Sequence, residues 1–266
     1  MGPRLPRGRV ALHPLPSEAD RRTFAELGAL VIDTDLPSDV LDRARADAEA
    51  LIASRPYDPE SPNRVQDAWR PSRAVHQVAI APTVLATLEA LYERTPLPFQ
   101  TLNFAVGTEQ RAHADTVHFN SKPSGFLCGV WVALEDIHGD SGPVFSLPGT
   151  HRWPELTPVD WGAPAGTEHY EAYETHVAER VAAEGLEPVP ALLRKGQALV
   201  WAGNLLHGGL PRRDPGRSRH SQVTHYFFTG CEYWTPLRSS ADHVEWRHPR
   251  FVPARSSRRL LRLVGR

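Results

Sequence analysis

The segment Gln110-Arg-Ala-His-Ala-Asp-Thr-Val-His-Phe119 sets an imidazole and a carboxylate two residues apart. Side chains alternate faces along an extended strand, so His113 and Asp115 are expected to point the same way. Together they supply two ligands of a 2-His-1-carboxylate facial triad. That set leaves the opposite side of the metal open and suits Fe(II) chemistry with a cosubstrate and O2. The third ligand must come from far along the chain. His207 is the candidate: in Leu199-Val-Trp-Ala-Gly-Asn-Leu-Leu-His-Gly-Gly209 an apolar strand runs into a glycine-punctuated turn and delivers one histidine. With 13 histidines present, an H-x-D triplet arises by chance, so the metal reading rests on its company.

That company is Arg219-His-Ser-Gln-Val-Thr-His-Tyr-Phe-Phe228, which follows His207 across a Pro/Arg/Asp/Gly turn. A hairpin there returns the chain beside the His207 strand. Arg219 and Ser221 share a face by parity, and a guanidinium with a hydroxyl binds a carboxylate well. A dicarboxylate cosubstrate needs such an anchor at its far end; Arg217 has the same parity and is the rival.

The elements that must position these residues fall into two textures. Ser17 with Asp20 forms a capping pair before Phe24 and Leu27, and Gly28 ends that helix. Ala29–Ile32 reads as a short strand. Ser38 heads a second helix with Val40, Leu41, Ala44, Ala48, Leu51 and Ile52 on its apolar side, and Pro82–Glu93 forms a third. From residue 98 strands dominate: Pro98–Val106, Gly125–Glu135, Pro143–Leu147, Ala198–Trp201 and Arg219–Thr229. Residues 154–192 interrupt them with a helical stretch, Glu168–Ala183, suited to a lid or wall over a site. Helices followed by an antiparallel β-region give an α+β class. The chain is read as one domain: a helical part at about 17–97, a β-core at about 98–230 and a tail at 231–266.

Composition sets outer limits. Of 266 residues, 41% are hydrophobic and 23% charged, as in ordinary globular chains. Thirty basic and 31 acidic side chains give a net charge of -1, so neither nucleic acid nor an anionic membrane is an expected partner. No stretch approaches the roughly 18 apolar residues of a membrane span, and Met1-Gly-Pro-Arg-Leu-Pro-Arg lacks a signal-peptide core. The expected setting is cytoplasmic, as a monomer or homodimer. Cys128 and Cys231 make no disulfide framework, and the basic stretch Arg255–Arg266 reads as a surface-docked tail.

Gly129-Val-Trp-Val-Ala-Leu-Glu-Asp-Ile137 and Ser141-Gly-Pro-Val-Phe-Ser-Leu-Pro-Gly-Thr-His-Arg152 resemble the "W-x-A-L-x-D" and "G-P-L-x-x-x-P-G-S-H" blocks of the phytanoyl-CoA dioxygenase family. Thr150 replaces the common Ser. The resemblance runs from Phe24 to Phe228. It implies a double-stranded β-helix (a jelly-roll) with helices packed on it, and a 2-oxoglutarate-dependent oxygenase using Fe(II) and O2. The family's H-x-D falls on His113 and Asp115, its distal histidine on His207 and its cosubstrate arginine on Arg219. Trp131 matches a position lining the 2-oxoglutarate pocket. Ala114 stands where some members have Gln, so a cosubstrate hydrogen bond is expected from Gln100 or Asn103 instead. Related halogenases have a small residue at the Asp115 position; a carboxylate points to hydroxylation, cyclisation, desaturation or epimerisation.

His118, Asn120 and Ser121 are candidate substrate contacts, with His118 free to face inward or outward. His151 is expected to make a structural hydrogen bond, and Trp153 and Trp161 to be lid or packing aromatics. The competing readings are a zinc hydrolase and a cupin-like isomerase or binding module. The first lacks its histidines, because Arg111 and Thr116 occupy those places. The second has no use for Arg219. The expected substrate is a small molecule, with a specialised metabolite favoured because no basic cluster near the site suits a coenzyme A phosphate.

Overall fold

A computed structural model describes residues 16–254 apart from 57, 60 and 61. The basic tail and the first 15 residues lie outside the described residues. Chain order is α1 (Glu18–Leu27), β1 (Ala29–Asp33), α2 (Ser38–Ser54), β2 (Arg64–Gln66), α3 (Arg73–Ala79), α4 (Pro82–Tyr92) and β3 (Pro96–Phe104). It continues with β4 (Asn120–Lys122), β5 (Leu127–Ala133), β6 (Val144–Ser146), α5 (Tyr170–Ala183), β7 (Val189–Pro190) and β8 (Gln197–Ala202). It closes with β9 (His207–Gly209), β10 (Ser221–Phe228), β11 (Glu232–Trp234) and β12 (Trp246–Arg247).

The strands form three antiparallel sheets. The largest has the order β1-β8-β5-β10-β3-β2, and the others are β7-β6-β9 and β12-β11-β4. Alternation divides the large sheet into two buried faces. Cys128, Val130, Val132, Ala198, Val200, Tyr226 and Phe228 pack against residues of α2, α3 and α4. Trp131, Ala133, Leu199, Trp201 and Val223 point the other way and meet Val144 of the small β7-β6-β9 sheet. The space between these two sheets is where the chemistry-bearing residues collect.

The α1 capping box is present, with Ser17 accepting from Asp20 N and Asp20 reaching back to Ser17 N. Gly28 ends that helix at φ 73, a left-handed turn that glycine makes without strain. A Cβ there would lie 2.4 Å from the His151 ring, whose Nε2 donates to the Ala25 carbonyl at 3.1 Å. His151 is thus a structural tie between α1 and the loop after β6. Ser38 does not cap α2: Pro37 occupies the cap, and Ser38 Oγ instead accepts from Lys195. The expectations for the sequence missed α3, which Ser72 caps by accepting from Val75 N.

The run Arg73–Tyr92 is long and apolar enough by composition to cross a membrane, contrary to the expectation that no stretch approaches that limit. Here it is two helices, α3 and α4, broken at Ile80-Ala81. Val75, Val78, Val84 and Leu88 are buried in the core beside the large sheet.

Candidate metal centre

His113 and His207 pair as neighbours. Each backbone N–H donates to the other's carbonyl at 2.9 Å, an isolated bridge that extends the small sheet at β9. The extended geometry expected through Asp115 stops there. Asp115 opens a tight turn, Asp115–Val117, with its carbonyl accepting from His118 N and Phe119 N. The turn still brings its carboxylate inward. The donor atoms of His113, Asp115 and His207 lie within 4.8 Å of one another, and all three residues are buried.

The histidines are oriented by their own backbone. His113 Nδ1 donates to the Arg111 carbonyl at 2.9 Å, and His207 Nδ1 to that of Leu205 at 3.0 Å. These bonds assign the proton to Nδ1 and leave Nε2 an acceptor on each ring, that of His113 accepting from the Gln110 amide at 3.3 Å. Burial, reinforced by the neighbouring His207 imidazole, holds His113 down to about 3, so it stays neutral, as a ligand must. Burial raises the Asp115 carboxyl, but the His225 and His207 imidazoles outweigh it and hold it well below the usual carboxylate range.

Two residues not singled out from the sequence complete this cluster. Trp201 donates its indole N–H to Asp115 Oδ2 at 2.7 Å, and His225 Nε2 lies 3.4 Å from the same oxygen. The available signal was parity: His225 lies on the same face of its strand as Val223, counting in twos from Arg219.

A cavity of about 270 Å³ opens over the triad, lined among others by Trp131, Gln100, His118, Arg219 and His225. Arg219 is 2% exposed, with its guanidinium 5.6 Å from the Phe104 ring and 5.5 Å from that of Trp131. It donates to the Val106 carbonyl at 3.1 Å, its Nε has no partner, and no carboxylate of the described residues forms an ion pair with it. Burial, with Arg212 nearby, pulls it down to about 10. A buried cation of this kind calls for an anion. The rival Arg217 is at the surface, paired with Asp214.

Gln100 and Asn103, the two expected cosubstrate contacts, separate by parity. Gln100 lines the cavity; Asn103 points to the opposite face and donates to Gln222. Trp131 lines the cavity, and its indole N–H has no partner among the described residues. Ser221 is not brought to the cavity wall: it is fully buried between Ala133 and Phe104, with Oγ turned to the Arg219 carbonyl. Asn120 is also absent from the wall, because β4 pairs with β11 and Asn120 donates to Glu155. Ser121 Oγ is spent on the Pro123 carbonyl.

The 154–192 insertion forms a wall beside the triad. Tyr170 of α5 lies against the His118 ring at 4.9 Å, and the Tyr173 hydroxyl accepts from Ala114 N at 2.8 Å. Trp153 and Trp161 pack with Tyr173 and Val177 in a separate apolar cluster. They are packing residues and do not line the cavity. Glu135 and Asp136 brace loops by accepting from His220 N and Lys195 N.

A jelly-roll sandwich holding a 2-His-1-carboxylate cluster between its sheets is the class that the fold and site define. The sequence profile of the family described as phytanoyl-CoA dioxygenase (PhyH) matches residues 24–221, and the chain belongs to that family. Phytanoyl-CoA dioxygenase domain-containing protein 1 of Danio rerio is 29% identical over 49% of this chain and 43% of its own length. The peroxisomal phytanoyl-CoA dioxygenase of Rattus norvegicus is 22% identical over 84% of this chain and 72% of its own. The chain thus spans less than half of the first of these relatives. Among solved structures, the non-heme alpha ketoglutarate dependent carbocyclase SnoK of nogalamycin biosynthesis superposes with a TM-score of 0.67 at 15% identity, covering 82% of this chain and 86% of its own. EctD from S. alaskensis, solved with 2-oxoglutarate and 5-hydroxyectoine, gives 0.65 at 17%, covering 90% and 86%. At these identities the likeness is one of fold.

Proposed function

We propose that this chain is an Fe(II)- and 2-oxoglutarate-dependent oxygenase that oxidises a C–H bond of a small molecule, most simply by hydroxylation. Cyclisation and desaturation are the neighbouring outcomes of the same chemistry. The setting we propose is specialised-metabolite biosynthesis in the cytoplasm, by a single-domain chain. The observation that carries the reading is Arg219, a buried cation with no carboxylate partner among the described residues, in the same cavity as the three donors. A cupin-like binding module gains nothing from that charge.

The residues present fit the groups implied. His113 and His207 offer their Nε2 atoms and Asp115 a carboxylate oxygen, the donor set that suits Fe(II). When bound, iron with 2-oxoglutarate and O2 supplies the oxidising power, with the cosubstrate becoming succinate and CO2. Arg219 would hold the distal carboxylate of the cosubstrate, with the Trp131 and Phe104 rings beside its guanidinium. Gln100 offers a polar contact on the same wall. The Tyr170 ring packs against His118, which lines the cavity. Asp115 keeps the position that a halide needs filled, which supports oxidation over halogenation.

The test is anaerobic protein with Fe(II) and 2-oxoglutarate. A visible charge-transfer band is expected in the wild type and lost in His113→Ala. Absence of that band, together with absence of succinate from the aerobic protein, sinks the oxygenase reading.

A further inference from the structure

The geometry points to Trp201 and His225 as positioning residues that hold the Oδ2 atom of Asp115, so that Oδ1 alone is presented to the metal. This rests on the metal-site reading above and deepens it. Oδ1 is the oxygen 3.7 Å from His207 Nε2, the nitrogen that faces the site. Oδ2 instead takes the Trp201 N–H at 2.7 Å and lies 3.4 Å from His225 Nε2. All three residues are at most 4% exposed.

The arrangement is built into the sheet. Trp201, Gly129 and His225 lie in one row across β8, β5 and β10, with Gly129 opposite both partners. Residues two strands apart stand roughly 10 Å from each other. Two side chains in such a row reach a common atom only if the strand between carries nothing. Gly129 supplies that gap: a Cβ there would lie 2.3 Å from the Trp201 indole. The ring is further seated 4.5 Å from that of His207, and His225 packs 5.0 Å from Phe119.

The consequence is a count of coordination positions. A six-coordinate metal held by three protein ligands would keep three positions open, as many as a chelating 2-oxo acid and O2 would need. A carboxylate free to turn and bind through both oxygens would take one of these. An indole N–H is a donor with no acceptor capacity, so it fixes Oδ2 without itself becoming a ligand.

The experiment measures Co(II) affinity by its visible absorption and the Fe(II)–2-oxoglutarate band, in wild type, Trp201→Phe, His225→Leu and His225→Asn. Trp201→Phe keeps a ring and removes the N–H; it is expected to weaken Co(II) on the order of 10-fold or more and to shift the band, with an unchanged far-UV circular dichroism spectrum. His225→Asn, which keeps a donor, should recover part of the affinity lost in His225→Leu. A folded Trp201→Phe protein with affinity within about twofold of wild type and an unmoved band overturns the inference. Should Trp201→Phe not fold, equal affinities in the two His225 variants overturn it. Wild type lacking the band is a failure of the oxygenase reading instead, so the two failures are told apart.

Discussion

Arg219 is the residue whose burial asks most of its surroundings, since a guanidinium removed from water needs a counter-charge. The expected partner is a carboxylate of the cosubstrate, and Arg219→Gln tests this. Losing one member of a buried charge pair costs about 2–5 kcal/mol, so 2-oxoglutarate should bind at least ~30-fold more weakly. Anaerobic titration of the charge-transfer band measures it, and an unchanged dissociation constant would assign the anchor elsewhere. Gly129→Ala is the second prediction at this scale. The added methyl meets the indole of Trp201, and overpacking of this kind costs about 1–3 kcal/mol. Both the melting temperature and Co(II) affinity should fall.

Among the elements, α5 ties the inserted segment to the metal loop through the hydrogen bond from Ala114 N to the Tyr173 hydroxyl and the more exposed Arg111–Glu174 ion pair. Tyr173→Phe leaves the ring in its cluster but strands a buried backbone N–H, costing about 1–3 kcal/mol. The melting temperature of the metal-free protein should fall, and proteolysis of the 154–192 segment should quicken. Equal cleavage rates would show that the tie does not hold the wall in place. The long strands were readable here because their residue alternation marks them, and observed limits differ from expectation by two residues at most. The short strands β4, β9 and β12 were not readable. Two or three residues carry no periodicity, and their pairing comes from partners distant in sequence.

For the whole molecule, the buried histidines set a pH dependence. His113 is held down to about 3 and His118 to about 4, chiefly by burial, whereas an unfolded histidine titrates near ~6.5. Below that value the unfolded chain takes up protons that the fold refuses. Stability of the metal-free protein therefore falls as pH drops from about 6.5 towards 4, by about 1.4 kcal/mol per unit for each such histidine. Asp115 works in the same direction but later: its depressed folded value makes a contribution present above the ordinary carboxylate range and lost only in stronger acid. Urea midpoints at pH 7.5, 6 and 5 check this; a flat profile refutes it, and His118→Asn should give a shallower slope.

What the sequence determined by itself was the chemical inventory and the alternation around it: His113, Asp115, His207 and Arg219 as a set, and the strands that carry them. Those readings need only neighbours in the chain or a motif's spacing. Tertiary structure decided everything that depends on register between strands. It set Gln100 inward and Asn103 outward, turned Ser221 and Asn120 away from the cavity, and replaced an extended H-x-D segment by a turn. It also brought Trp201 and His225 across Gly129 to one carboxylate oxygen. A side chain's face follows from its own strand, but which atom it reaches depends on the strand beside it, and that pairing is made by residues far along the chain, as between Ala29 and Trp201 or Gln100 and His225.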